Sequence, residues 1–427
     1  MTLGTAITAV TVPGEACPRA GGGPHLPTFM SGLLAVMLAF AASLSSATLT
    51  VERGSDLQSV IDHASAGDTL RLGAKVFEAR RVRFTDPLCG NCETPKTEVA
   101  ASYGFIIKGK GLVLLGAGRS ETRLVTNAGY GVYIENADGT EIRNLTISGG
   151  VRDNAGNAAD AGIVVRGSRV VIEQVDIRDN ADRSSDSSVV VGIGGVCGRE
   201  GADITLRGCN IINGGWDGIA LYRGATAFVS DCVIKQGRGA GIGVTWDAYC
   251  VAYRNEVTGF WKGIGSFGTS TVIASNNFVH DNLGWGIIGT GESTMEATNN
   301  VVHHNGNCGV APWSTTSRGR FINNIITGNG WREQWVCPCV GVWNYGDWAK
   351  WVFRNNIVWG NKAGNYEAIW DQTDINGNLN VDPMFVGEND FRLKPESPAW
   401  NAGDTTIFNR DGSRSHIGAQ GGPRAAH

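Results

Sequence analysis

Short apolar runs bounded by Gly or Asn recur from about residue 104 to residue 368, and they predict short strands joined by tight turns rather than helices. Gly-aliphatic pairs mark one register: Gly131-Val132, Gly162-Ile163, Gly192-Ile193, Gly218-Ile219, Gly241-Ile242, Gly263-Ile264, Gly286-Ile287, Gly309-Val310 and Gly341-Val342. The central steps are 26, 23, 22, 23 and 23 residues. A second column keeps the same phase: Leu145, Val175, Asn210, Cys232, Asn255, Asn277, Asn300, Asn324 and Asn356. Two registers locked to one period mean one coil per repeat, with room for three strands and three turns. Parallel strands stack about 4.8 Å apart, so about ten coils make a prism roughly 45–50 Å long. Period-2 alternation turns Ile219, Leu221, Ile242, Val244, Val257, Val279, Val302, Ile326 and Val358 inward. It also stacks Asn255 to Asn356 inside a turn, where each amide bonds the next and satisfies the buried polar groups. The fold class is all-β, a parallel β-helix solenoid. A β-propeller requires a period of about 40 residues or more, and antiparallel barrel hairpins do not produce a single-coil register.

The ends depart from the repeat. Asp56 to Leu72 reads as a short amphipathic helix, a turn and a strand, which caps the open end against edge-to-edge polymerisation. After about Ala368 the chain becomes rich in Gly, Asn and Pro, a C-terminal cap. Residues Phe29 to Leu44 form an apolar run of 16, shorter than the roughly 20 residues a bilayer span needs, and it exits through Ser45-Ser46-Ala47. This divides the chain into a leader and signal peptide at 1–47 and one domain at 48–422, with caps at 48–100 and 369–422 around the coils. An uncleaved membrane anchor is the alternative for the run, and Met30 is an alternative start to Met1. The expected location is secreted or periplasmic, with no membrane contact after cleavage, as a monomer.

Composition narrows the function classes. A net charge of −4 offers no electrostatic case for a nucleic-acid partner. Gly stands at 61 of 427 residues without a Gly-X-Y period, which fits many tight turns and excludes collagen. Ten Cys in an exported chain suit disulfides or free thiols, whose pairing the sequence does not reveal. Cys89 and Cys92 share one polar loop and Cys337 and Cys339 another, with no nearby His to complete a zinc site. No cofactor is expected, although the oxygen-rich stretch from Asp153 to Asp160 makes calcium a candidate.

Three passages carry a family resemblance. Leu57-Gln-Ser-Val-Ile-Asp-His-Ala-Ser-Ala-Gly-Asp-Thr-Leu is an opening segment, and Asn276-Asn277-Phe278, Asn299-Asn300-Val301, Asn323-Asn324-Ile325 and Asn355-Asn356-Ile357 form a coil signature. Asp382-Pro-Met-Phe, Asp390-Phe-Arg-Leu-Lys-Pro-Glu-Ser-Pro-Ala and Ile417-Gly-Ala form a closing segment. The chain thereby resembles the right-handed parallel β-helix repeat proteins of the pectin-lyase-like superfamily, over about Leu49 to Gly422. The resemblance implies a right-handed coil. The superfamily holds pectate and alginate lyases, polygalacturonases, epimerases, phage tailspikes and copper-site maturation proteins, and fold does not choose among them. No known catalytic set of these enzymes matches here residue by residue.

Loop lengths point to a working face. The connections Asn210–Gly218, Cys232–Gly241, Asn255–Gly263, Asn277–Gly286 and Asn300–Gly309 are short, whereas Leu145–Gly162, Val175–Gly192 and Asn324–Gly341 are long. Long loops flanking short ones make a saddle for a chain-like ligand. The outward column three residues past the ladder reads Ser148, Arg178, Asn213, Lys235, Thr258, His280, His303, Thr327 and Trp359. His280 and His303 on adjacent coils depress at least one imidazole pKa, which suits a neutral base. Lys262 and Trp285 lie across the turn from them. The next outward column is Tyr222, Thr245, Phe267, Thr290, Trp313 and Tyr345, and all 13 Trp lie at Trp216 or later. Aligned aromatics suit sugar rings, with Arg223 and Trp246 beside them. Asp247 and Glu292 stand two coils apart, about 9.6 Å by strand spacing, near the carboxylate separation of an inverting glycosidase. Three functions follow. The first is a polysaccharide lyase on a uronate-containing glycan, with His280, His303 or Lys262 as base and Lys262 and Arg223 as cationic partners. The second is a carbohydrate-binding or surface-attachment β-helix without catalysis. The third is an inverting glycoside hydrolase with Asp247 and Glu292 as its acid and base.

Overall fold

In the computed structural model, which describes residues 46–51, 54–153, 159–181, 193–332 and 337–426, three sheets run along the repeats and each coil adds one strand to each. The first sheet has 12 strands, from Thr48–Val51 to Trp351–Arg354. The second has 11, from Val76–Glu78 to Ile357–Trp359, and the third has 12, from Val82–Asp86 to Tyr366–Glu367. Among the described residues, strand pairs are parallel except at the ends, where Val82–Asp86 pairs antiparallel with Val99–Lys108 and Phe385–Gly387 with Asp390–Leu393. This is the expected right-handed parallel β-helix, one coil longer than the estimate. Ile219, Ile242, Ile264, Ile287, Val310 and Val342 stack in register and fully buried along the core.

The Asn-Asn-aliphatic motif divides its labour. The first Asn of each pair (Asn276, Asn299, Asn323, Asn355) takes φ of 56°, 58°, 57° and 51°, a left-handed turn conformation that Asn tolerates better than most residues. The second Asn points inward. The Nδ2 of Asn255, Asn277, Asn300, Asn324 and Asn356 each donates to the Oδ1 of the next rung at 2.9–3.1 Å, ending on Asn378. A second ladder, at the corner before the third sheet, runs through Asn282, Asn305, Asn329 and Asn361 at 2.9 Å per rung. The sequence reading did not identify it.

The observed register corrects three expected positions. Asn210 pairs with Asp176 and Val233, so the ladder rung of that coil is Cys209, whose N–H donates to Cys232 Sγ. The outward column accordingly passes through Ile212 rather than Asn213. Val196, not Ile193, stacks between Ile163 and Ile219, and Gly192 lies outside the described residues. The cause is the long insertion between the second and third sheets of this coil. Counting through an insertion loses the phase that unbroken repeats carry.

The ends are closed as expected. Asp56 caps the helix Leu57–His63 by accepting from Gln58 N and Ser59 N, and Leu57 and Ile61 bury against the first coils. At the other end the hairpin Phe385–Gly387/Asp390–Leu393 and the following tail fold back along the second sheet. Asn276 Nδ2 donates to Ala419 O and Gly421 O, and Asp404 N donates to Asn323 Oδ1. Cys89 pairs with Cys92 and Cys308 with Cys337, while Cys339 is a thiol. The run at 29–44 and its cleavage site lie outside the described residues, as do most of the stretch 153–160 and Trp335.

Candidate functional site

The outer face of the third sheet carries three columns. Asp217, Ala240, Lys262, Trp285 and Cys308 form the first, each one residue before a Gly-aliphatic pair. Ala220, Gly243, Gly265, Ile288 and Ala311 form the second. Tyr222, Thr245, Phe267, Thr290, Trp313 and Tyr345 form the third, in the predicted alignment. Two apolar clusters sit on this face. Upstream, Tyr130, Tyr133, Val164, Cys197, Ala220 and Tyr222 pack together. Downstream, Trp285, Ile288, Cys308, Ala311, Cys337 and Val340 do the same. Between them the second column narrows to Gly243 and Gly265, a shallow trough in which the Phe267 ring lies over Gly265 and the Asp217 carboxyl beside Gly243.

The upstream wall is the strap Val82–Asp86 with the Cys89–Cys92 loop. Its anchor is Asp86, fully buried and ion-paired with both Arg199 and Arg166. Burial raises the Asp86 pKa, but the two guanidiniums override it and hold the carboxylate below its usual range. Arg199, with no exposed side-chain surface, also donates to Leu88 O at 2.8 Å. Arg223 ties the strap to the trough. It donates to Cys92 O and Glu93 O, and its guanidinium lies 3.9 Å from the centre of the Trp246 ring. The downstream wall is held by the Cys308–Cys337 disulfide and a row of edge-to-face rings. Trp261–Trp285, Trp285–Trp313 and Trp313–Trp343 centres lie 5.4, 5.1 and 4.7 Å apart. Trp285 is buried within that row, whereas Tyr345 at its end is 65% exposed.

Two ionisable groups reach into the trough. Asp217 Oδ1 accepts from Ala240 N at 2.6 Å, and Oδ2 leans over Gly243, 3.1 Å from where a Cβ there would stand. Burial raises its pKa to about 6. Lys262 Nζ lies 5.5 Å from the centre of the Phe267 ring, which itself lies over Gly265. Burial lowers the Lys262 pKa, partly offset by the Asp217 charge. A cavity of about 20 Å³ beside Asp217 is lined by Asp160, Cys197, Trp216, Tyr222 and Asn91. Asp160, upstream, is pushed to about 7 by burial and by Asp153. Asp153 itself is engaged by Arg81 and Ser102, and no group of three or more His, Cys, Asp or Glu among the described residues is arranged to hold a metal.

The predicted residues do not converge on one groove. His280 and His303 are in register on adjacent coils, but of the second sheet, and the C-terminal hairpin covers them. The Phe391 ring centre is 5.0 Å from His280 and 5.2 Å from His303. His280 bridges Asp281 Oδ2 (2.6 Å) and Glu256 Oε1 (3.3 Å). Burial lowers its pKa, yet these hydrogen bonds outweigh burial and the net shift is upward. His303 is lowered to about 4, first by burial, then by His304. The expected depression of one imidazole is present, with burial rather than the neighbouring His280 as its main cause. A groove of about 540 Å³ between this face and the hairpin is lined by Lys235, Glu256, Phe278, His280, Phe391 and Arg392, and Lys262 does not line it. Asp247 and Glu292 are exposed on turns at the trough's far edge, where Asp247 Oδ1 accepts from Gly224 N. Lys262, Tyr222, Arg223, Trp246, Phe267, Trp285, Trp313 and Tyr345 do share the third-sheet face. Sequence reasoning missed Asp217, although it occupies the same position before a Gly-aliphatic pair as Lys262 and Trp285.

The chain belongs to the right-handed beta helix region family, whose model matches residues 97–259, 161–329 and 247–379. Among solved structures, the pectate lyase Pel9A shares the fold at 13% identity and a TM-score of 0.55, covering 88% of this chain and 97% of that one. The A-module of the Azotobacter vinelandii mannuronan C-5 epimerase AlgE4 matches at 19% identity and 0.43, covering 72% and 83%. The Dettilon tailspike protein matches at 14% and 0.46, covering 79% and 62%. No curated protein matches the sequence.

Proposed function

We propose that this protein is an exported polysaccharide lyase that binds a uronate-containing glycan in the third-sheet trough, with Lys262 as the base. The observation that carries this reading is the pairing of half-buried cations with rings rather than carboxylates along one face. Arg223 lies on Trp246 and Lys262 beside Phe267, and neither forms an ion pair with a carboxylate among the described residues. Such cations remain available to an anionic sugar, and the rings offer its apolar face a platform. Burial favours the neutral Lys262 amine, the form that removes a proton α to a uronate carboxylate. The pectate lyase with which the fold is shared supports the polysaccharide part. Two disulfides and the apolar run at 29–44 support export.

A panel of polyuronates followed at 235 nm tests this. The expected result is unsaturated product from one member and a loss of about 10²–10⁴-fold in Lys262→Ala, with His280→Ala and His303→Ala retaining turnover. Unchanged turnover in Lys262→Ala overturns the assignment. The exposed end of the aromatic row favours a second reading, glycan binding without cleavage, which retained affinity with no product in any assay selects.

A further inference from the structure

We infer that Asp217 is the acid that protonates the departing glycosidic oxygen, so that the trough holds base and acid two coils apart on one column. This rests on the lyase reading of the same site. Asp217 and Lys262 stand about 10 Å apart along the ladder by strand spacing. A lysine side chain spans much of that distance, so both groups reach one sugar unit lying over Gly243 beside the Phe267 ring. The Asp217 carboxyl is buried, and its Oδ2 faces Gly243, where the absent side chain leaves it the nearest group. Oδ1 is fixed by Ala240 N at 2.6 Å, which leaves Oδ2 as the atom presented to the ligand. A cavity of about 20 Å³ on the upstream side of Asp217, lined by Asp160, Cys197 and Tyr222 rather than by Gly243 or Lys262, exceeds the roughly 10–15 Å³ a water needs, so one water there can return a proton to the carboxyl after each turnover.

The step balances without any co-reactant. The Lys262 amine takes the proton from C5 of the uronate. The C5–H electron pair becomes the C4=C5 double bond, and the C4–O4 bond breaks. The departing O4 takes its proton from Asp217, leaving an ammonium and a carboxylate that exchange their proton with solvent as the products leave. Burial of Asp217 supports the role, since it keeps the carboxyl protonated to higher pH than an exposed Asp.

Leaving-group dependence gives the test. Asp217→Asn retains an acceptor for Ala240 N, so the fold is preserved, and circular dichroism verifies it. Wild type, Asp217→Asn and Lys262→Ala are compared on a polyuronate and on a uronide whose O4 carries a 4-nitrophenyl group, which departs without protonation. The expected result is a fall of about 10²-fold or more in kcat for Asp217→Asn on the polyuronate, with KM held and nitrophenolate release nearly unchanged. Lys262→Ala loses both reactions. Equal losses on both substrates, or none on either, overturn the role of Asp217 while leaving the lyase reading intact. Wild type silent on both overturns the lyase reading, and the assignment of Asp217 falls with it.

Discussion

The Asn ladder makes a quantitative claim that one substitution tests. Asn300 is fully buried in the middle of the first ladder. Its Nδ2 donates to Ala274 O at 3.0 Å and to Asn324 Oδ1 at 2.9 Å, and its Oδ1 accepts from Asn277 N at 3.0 Å and Asn277 Nδ2 at 2.9 Å. Asn300→Ala removes all four. Asn324 Oδ1 keeps the Asn300 backbone N–H, so the groups left wanting are Asn277 N, one Asn277 amide hydrogen and Ala274 O. Each unsatisfied buried group costs about 1–3 kcal/mol. A water entering the vacated polar space recovers part of this, which places the expected loss at about 3–5 kcal/mol. Asn380→Ala is the control, since Asn380 is exposed and accepts a single bond from Asn365; it changes stability by about 0.5 kcal/mol or less. A solenoid need not unfold in one step, so hydrogen exchange is the better assay. A loss of 3 kcal/mol appears as about a 100-fold drop in protection around residues 252–324. Protection within about threefold of wild type would mean that the ladder adds nothing beyond packing, and the argument for it fails.

The remaining predictions concern the covered His face and the strap. His303 has a folded pKa of about 4 against 6.5, so the unfolded chain binds the proton more readily, and stability falls as pH drops from about 6.5 to about 4, by on the order of 3 kcal/mol. His280, with its pKa raised, acts oppositely: its contribution is full below 6.5 and is lost as pH rises through the folded value. His303→Gln therefore flattens the acid side of a stability–pH profile measured by denaturant titration, and an unchanged slope refutes the assignment. Arg199→Met strands the buried Asp86 carboxylate and costs about 3 kcal/mol, the low end of the range for a broken buried pair because Arg166 remains. Limited proteolysis should then cut the loop at 87–98 sooner than in wild type, and equal cutting rates refute the anchoring role.

Much of the fold was legible because a solenoid writes its structure into a period. The inward aliphatic column, the Asn ladder and the aromatic column from Tyr222 to Tyr345 followed from spacing alone. The register slipped at Asn210 and Ile193, where the insertion at 182–192 breaks the count. The second ladder, Asn282, Asn305, Asn329 and Asn361, has steps of 23, 24 and 32 residues and was within reach of the same method. Asp217 was readable as the residue before Gly218, but Ala240 between it and Lys262 hides the column's polarity. The covering of His280 and His303 was not legible. Spacing shows which residues point outward, and only non-local docking of the aperiodic tail, through Phe391 and the Asn276 and Asn299 amides, decides which outward face stays open.

That distinction is what selects the third sheet. The outer face of the first sheet satisfies its own charges through pairs such as Arg143–Glu173, Arg169–Asp203 and Arg320–Glu296, which hold the side chains along the surface. The second sheet is occupied by the chain's own C-terminal cap. On the third sheet the strap and the Cys308–Cys337 loop cover the two ends, and the middle keeps glycines where neighbouring coils carry side chains. Glycine in a strand interior weakens it and marks a close approach by other backbone or a ligand. Phe267 accounts for Gly265, but over Gly243 the nearest group is the Asp217 carboxyl rather than a covering ring. A solenoid under selection for stability alone has no reason to keep a glycine beside a buried acid, so Gly243→Ala separates the two demands. A Cβ there meets Asp217 Oδ2 at 3.1 Å and Ala240 Cβ at 3.3 Å, so the carboxyl must give way, and turnover measured at 235 nm should fall while circular dichroism stays that of wild type; unchanged turnover refutes the role of the glycine.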